Sequence, residues 1–204
     1  MIHRMKIGIC GAPGTGKTAL ARELSRAMTL PLIHQGSREL LELTGAKRRP
    51  PIPRMNEVQR MDWQLDLIKF RVERESEMAQ FVADGTALDL LVWYRMCSWL
   101  IPFDQKVATE DLLYRAAAQY DYIFYCPLWL EIVASSMPKP DDPLYIDPFN
   151  LETSDYILKG VLSTMMHKGH NAYVLQKQHL HSRVEEVLAV LNPLYSSESN
   201  QKPC

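Results

Sequence analysis

The 204-residue chain is 47% hydrophobic and 23% charged, with a formal net charge of -1. That length suits one domain with a full core, and the balanced charge removes the global electrostatic case for a nucleic-acid or anionic-membrane partner. No apolar run approaches the ~20 residues that span a bilayer, and the first strand follows Met1 too closely for a signal peptide, so a soluble cytoplasmic protein is expected.

Lys6-Ile7-Gly8-Ile9-Cys10 is a short apolar run of strand length. Gly11-Ala12-Pro13-Gly14-Thr15-Gly16-Lys17-Thr18 follows it and fits G-x-x-x-x-G-K-[ST], the phosphate-binding loop of nucleoside triphosphate enzymes. Leu20, Leu24, Ala27 and Met28 then fall on one helical face. Strand, glycine loop and helix in that order are the setting the motif requires. Glycines let successive backbone N–H groups turn inward around phosphate oxygens, and the helix N-terminus adds partial positive charge. Lys17 is placed to reach the β- and γ-phosphates, and the Thr18 hydroxyl to ligate Mg2+. The alternative is a chance glycine-rich turn between a strand and a helix.

Leu30 to His34 reads as a second strand, and Ser37 as the cap of a short helix through Leu43. Ala46 to Arg54 is an exposed loop, rich in proline and carrying Lys47, Arg48, Arg49 and Arg54. A helix begins at Asn56, with Val58, Met61, Leu65, Ile68 and Val72 as one apolar stripe and charged faces, including Arg71 and Glu75, assigned to solvent. Met78 to Thr86 is a third strand ending in an acidic residue. Leu88 to Leu100 is a buried helix stopped by Pro102, and a further helix runs from Thr109 to Gln119. Tyr122 to Cys126 is a fourth strand, Met137 to Phe149 a loop, and Ile157, Val161 and Met165 mark the next helix. Ala172 to Gln176 is a fifth strand, followed by a terminal helix that ends at Asn192-Pro193.

Alternating strands and helices predict an α/β fold: a doubly wound, mostly parallel five-stranded sheet with helices on both faces. A single domain is expected over residues 1–195, with a lid segment at 137–150 and a flexible tail at 196–204. The four cysteines, Cys10, Cys97, Cys126 and Cys204, are scattered; buried reduced thiols are favoured over disulfides or metal ligands. Binding sites in such sheets lie beyond the carboxyl ends of the strands.

The chain resembles the small P-loop kinases, ribosylnicotinamide-kinase-like and nucleoside or nucleotide kinases among them, and the AAA-type small ATPases. The residues that carry this are the phosphate loop, Gly36-Ser37-Arg38-Glu39 after the second strand, Phe81-Val82-Ala83-Asp84, and Tyr120-Asp121 opening the fourth strand. The resemblance implies a nucleotide-kinase-like fold. In those kinases an arginine commonly follows the acidic residue and another stands in the lid; here Gly85 follows Asp84, and Lys139 is the lone cation between Cys126 and Leu151.

Lys17 and Asp84 are the candidate catalytic residues. Asp84 would accept the acceptor hydroxyl's proton or, with Thr18, hold Mg2+; the alternative is a cap for the helix that starts near Ala87. Asp89 reads as a cap or surface residue. Arg38, Glu39, Arg95 and Lys139 are candidates for gripping substrate. For each, the alternative is an ion pair or a solvated charge. Trp129 would stack on a base. The expected activity is transfer of the γ-phosphoryl group of ATP, with Mg2+, to a hydroxyl of a nucleoside, nucleotide or related small metabolite. A regulatory nucleotide switch is one alternative, and a kinase acting on a hydroxylated base in nucleic acid, through Lys47, Arg48, Arg49 and Arg54, is another.

Overall fold

The computed structural model describes residues 5–34, 56–98, 101–129, 131 and 147–196. The expected helix at Ser37, the basic loop, most of the expected lid and the tail beyond Ser196 lie outside these residues. So do Arg38, Glu39 and Lys139.

The described elements are β1 (Lys6–Gly11), α1 (Lys17–Met28), β2 (Leu32–Ile33), α2 (Glu57–Glu77), β3 (Phe81–Asp84) and α3 (Ala87–Cys97), then α4 (Phe103–Ala117), β4 (Tyr122–Cys126), α5 (Pro148–His167), β5 (Ala172–Val174) and α6 (Leu180–Ser196). The five strands form one sheet in the order β2-β3-β1-β4-β5, and every pairing is parallel. This is the expected α/β class. β1, central and buried on both faces, is hydrophobic without alternation, as a parallel strand covered by helices must be.

The period-two geometry of the strands divides the core. Ile7 and Ile9 of β1, Val82 of β3 and Phe124 of β4 face α1 and α6, where Leu20, Leu24, Val187 and Leu191 cover them. Cys10, Phe81, Ala83, Ile123 and Tyr125 face the opposite side, under Ile68 of α2, Leu88 and Leu91 of α3, Leu113 of α4 and Leu158 of α5. Each fully buried Leu or Ile stabilises the fold by about 1.5–3 kcal/mol.

Several boundaries differ from expectation, for local reasons. α4 starts at Phe103 rather than Thr109, because Pro102, read only as a helix stop, is also its N-cap, with the Pro102 carbonyl accepting from the Lys106 N–H at 3.0 Å. α5 starts at Pro148, inside the expected lid at 137–150, so Pro148, Phe149 and Asn150 are its first turn. Proline needs no partner for its missing N–H there, and the Asp147 carboxylate accepts from the Phe149 N–H at 2.8 Å. α6 continues through Pro193 to Ser196. On α2, Met61 and Ile68 are buried as the stripe requires, while Val58, in the first turn, is 61% exposed.

Candidate phosphate and nucleotide site

The loop after β1 is shaped by close approach. A Cβ on Gly11 would lie 2.7 Å from the Cys126 carbonyl oxygen and 2.8 Å from Thr15 Oγ1, so only glycine fits. Ala12 then anchors the turn: its carbonyl accepts from Thr15 Oγ1 at 2.8 Å and from Lys17 Nζ at 3.4 Å. Gly16, with φ 82°, is the N-cap of α1 and supplies no side-chain cap, and the first turn holds no acidic residue. Helix N–H groups left in this way are an anion site. Lys17 is only 6% exposed. Among the described residues no carboxylate lies within ion-pair distance of its ammonium group.

Asp84 ends β3 opposite Ile9 of β1, which brings it beside the loop. Thr18 Oγ1 donates to Asp84 Oδ1 at 3.0 Å, uniting the two residues expected at a metal site. The alternative role as a helix cap falls to other residues: Thr86 Oγ1 accepts from the Leu88 N–H at 3.1 Å, and Asp89 completes the capping box.

Asp89 does more than cap. Its Oδ2 accepts from the Thr86 N–H at 2.7 Å and from Thr86 Oγ1 at 2.9 Å, while Oδ1 accepts from the Gly11 N–H at 3.1 Å. It therefore ties the start of α3 to the start of the phosphate loop. Burial raises its carboxyl above the ordinary value, against the opposing pull of Lys17 and of these hydrogen bonds. The spacing Thr86-x-x-Asp89 is the sequence signal for the cap; the tether to Gly11 has none.

Two groups assigned to the solvated face of α2 are buried instead. Arg71 is 2% exposed and pairs with the Glu75 carboxylate. Its guanidinium also donates to the carbonyls of His34, after β2, and of Gly85, after β3, the latter at 2.6 Å. The Tyr120 hydroxyl donates to the Glu75 carboxylate at 2.7 Å and accepts from the Ala87 N–H at 3.3 Å. The backbone next to Asp84 is thus held from below by an ion pair. Arg71 and Glu75 continue the spacing of the apolar stripe past Ile68, which is the signal that could have found them.

Arg95 stands in an ion pair, the alternative weighed for it from sequence. Its Nε and Nη2 donate to the Glu110 carboxylate at 3.0 and 2.6 Å, a bidentate pair that commits the guanidinium to the α3–α4 contact. Trp129 packs its ring on Arg183 of α6, 4.6 Å from guanidinium carbon to ring centroid. Arg183 Nη1 donates to the Thr15 carbonyl at 2.6 Å. Sequence reasoning missed Arg183.

A family model described as AAA domain matches residues 6–181, and the chain belongs to that family. No curated protein matches the sequence. Among solved structures, deoxyadenosine kinase from M. mycoides, with products bound, superposes with a TM-score of 0.65 at 14% identity, covering 93% of this chain and all of the other (100%). NadR in complex with NR superposes at 0.64 and 16% identity over 93% of this chain and 51% of the other. Shikimate kinase from Acinetobacter baumannii, with shikimate, gives 0.59 and 15% identity over 95% of this chain and 94% of the other. At these identities the likeness is one of fold, and that fold is the P-loop kinase fold.

Proposed function

We propose that this member of the AAA domain family is an ATP-dependent phosphotransferase that moves the γ-phosphoryl group to a hydroxyl of a nucleoside, nucleotide or related small metabolite. One observation carries the reading: the uncapped N-terminus of α1, the buried Lys17 with no carboxylate partner among the described residues and the Thr18–Asp84 pair converge at one strand end. The chemistry needed there is positioning and charge neutralisation more than covalent work.

The Lys17 ammonium would exchange its long bond to Ala12 for phosphate oxygens, and the uncapped N–H groups at the start of α1 would hold the chain of phosphates. Asp84 accepts the proton of the acceptor hydroxyl as the new oxygen–phosphorus bond forms. The bond from the γ-phosphorus to the bridging oxygen breaks, and ADP leaves with that electron pair. In the alternative role, Thr18 and, through water, Asp84 would hold Mg2+ as hard oxygen donors. Bound there, Mg2+ supplies neutralisation of phosphate charge. Among the described residues no group of three His, Cys, Asp or Glu could hold a metal unaided; Thr18 and Asp84 would supply part of its oxygen ligands.

The structural relatives named above act on a deoxynucleoside and on shikimate, so the fold does not choose the acceptor. The test is radiolabelled transfer from [γ-32P]ATP across nucleosides, nucleotides, small hydroxy acids and DNA bearing hydroxylated bases. The expected result is transfer to a small acceptor, reduced at least about 100-fold by Asp84→Asn. Labelled DNA alone would move the assignment to a nucleic-acid kinase that uses Lys47, Arg48, Arg49 and Arg54. Slow hydrolysis indifferent to every acceptor would instead favour a regulatory switch, the reading that suits a segment where Lys139 is the only cation between Cys126 and Leu151.

A further inference from the structure

Three cations are buried among the described residues: Lys17, Arg71 and Arg183. Arg71 has the Glu75 carboxylate as its counter-charge. Arg183 is 3% exposed and has none among the described residues. Its Nε donates to the Lys177 carbonyl at 3.0 Å, its Nη1 to the Thr15 carbonyl at 2.6 Å, and its face lies on Trp129. Carbonyl dipoles and an aromatic face offset only part of a full charge. A guanidinium cannot discharge by losing its proton, and a buried charge without a counter-ion is unfavourable. Among the described residues Nη2 has no oxygen acceptor, and the other group the fork meets is the Cys126 thiol.

The place of this unbalanced charge is specific. A Cβ on Gly16 would lie 3.1 Å from Arg183 Nη1, so the guanidinium rests against the loop residue immediately before Lys17. Among the described residues the only other buried cation without a carboxylate is Lys17 itself, and both charges act on the Cys126 thiol, which burial pushes up to about 12 against their pull. The Trp129 ring fixes the plane of the fork, and the Thr15 carbonyl fixes its edge. A rigid fork at an anion-binding loop, with no oxygen acceptor on Nη2 among the described residues, suits phosphate oxygens in bidentate fashion.

We propose that Arg183 is a second phosphate-binding cation, which with Lys17 brackets the polyphosphate chain of the bound nucleotide. The anion supplies the counter-charge that the described residues lack. This inference rests on the nucleotide-binding reading above and adds a residue from the far end of the chain to that site.

The test compares Arg183→Gln, which keeps an amide donor for the Thr15 carbonyl but removes the charge, with Arg183→Lys, which keeps the charge without the fork. Calorimetric affinities are measured for inorganic tripolyphosphate, Mg·ATP and adenosine. Arg183→Gln is expected to weaken tripolyphosphate and Mg·ATP about 10- to 100-fold, the range for hydrogen bonds to a charged group, with adenosine affinity held within about threefold. Arg183→Lys is expected to recover part of that loss. Tripolyphosphate affinity of Arg183→Gln within about threefold of wild type would overturn the proposal and leave Arg183 as a brace for the loop. In the wild-type protein, the Arg183 side-chain resonances are expected to shift on titration with tripolyphosphate; resonances that stay in place at saturation would overturn it independently of any variant's folding. Absence of all binding of Mg·ATP and tripolyphosphate by the wild type, with Lys17→Ala no different, would overturn the nucleotide reading itself.

Discussion

Replacing Glu75 by Leu removes the counter-charge of Arg71 and the acceptor of the Tyr120 hydroxyl in one step, both inside the core. Breaking a buried ion pair from one side costs about 3–5 kcal/mol, because the remaining charge stays desolvated. For a chain of this length that corresponds to roughly 6–20 °C in melting temperature at about 2–4 °C per kcal/mol. The double variant Arg71→Met/Glu75→Leu leaves no unpaired charge and should recover at least half of the loss, since an apolar pair of similar volume is often no worse than the ion pair. Stability regained this way should not restore phosphoryl transfer, because the bonds from Arg71 to the His34 and Gly85 carbonyls, which steady the backbone after Asp84, are gone. The assay is urea denaturation of the two single variants, the double variant and the wild type, with transfer rates measured on each. A loss under about 1 kcal/mol for Glu75→Leu, or strictly additive losses in the double variant, would refute the reasoning.

Three smaller predictions follow from the same geometry. Asp89 has a folded-state pKa raised above the ordinary value of 3.8 by burial. The folded state therefore favours its protonated form, and stability relative to Asp89→Asn should be greatest below that ordinary value, decline as pH rises through the raised pKa, and then level off; a flat difference in unfolding free energy across that window would contradict it. Thr86→Ala removes the α3 cap and should cost about 0.5–2 kcal/mol by chemical denaturation, with Asp84 transfer chemistry altered far less than by Asp84→Asn. Arg95→Ala breaks a half-buried pair and should cost at most about 1 kcal/mol, with the KM for every acceptor unchanged; a raised KM would return Arg95 to the substrate site.

What could be read from the sequence was what is local. The phosphate loop is eight consecutive residues between a strand and a helix, and each glycine there answers a backbone requirement, as the 2.7 Å approach of a Gly11 Cβ to the Cys126 carbonyl makes plain. The place of Asp84 beside that loop was legible because it ends the third strand, and strand ends meet at one edge of a parallel sheet. Arg71 and Glu75 were not, because charge on a helix face looks solvated until its partners are known, and Arg71 finds the His34 carbonyl 37 residues away. Arg183 meets Thr15 across 168 residues of chain, a pairing that no periodicity records. Pro102 misled in a different way: read as the stop of the helix before it, which ends at Cys97, it is the N-cap of the helix after it.

The central claim, that Gly11 to Thr18 holds the phosphates of a nucleotide through Lys17, is tested most directly by the melting temperature of wild type and Lys17→Ala with and without Mg·ATP. At ligand a hundred times its dissociation constant, linkage adds ~2.7 kcal/mol of stability, which for this chain is roughly 5–10 °C. The wild type should show that rise, and Lys17→Ala should lose it. An unchanged wild-type midpoint at saturating Mg·ATP, or an equal rise in the variant, would contradict it.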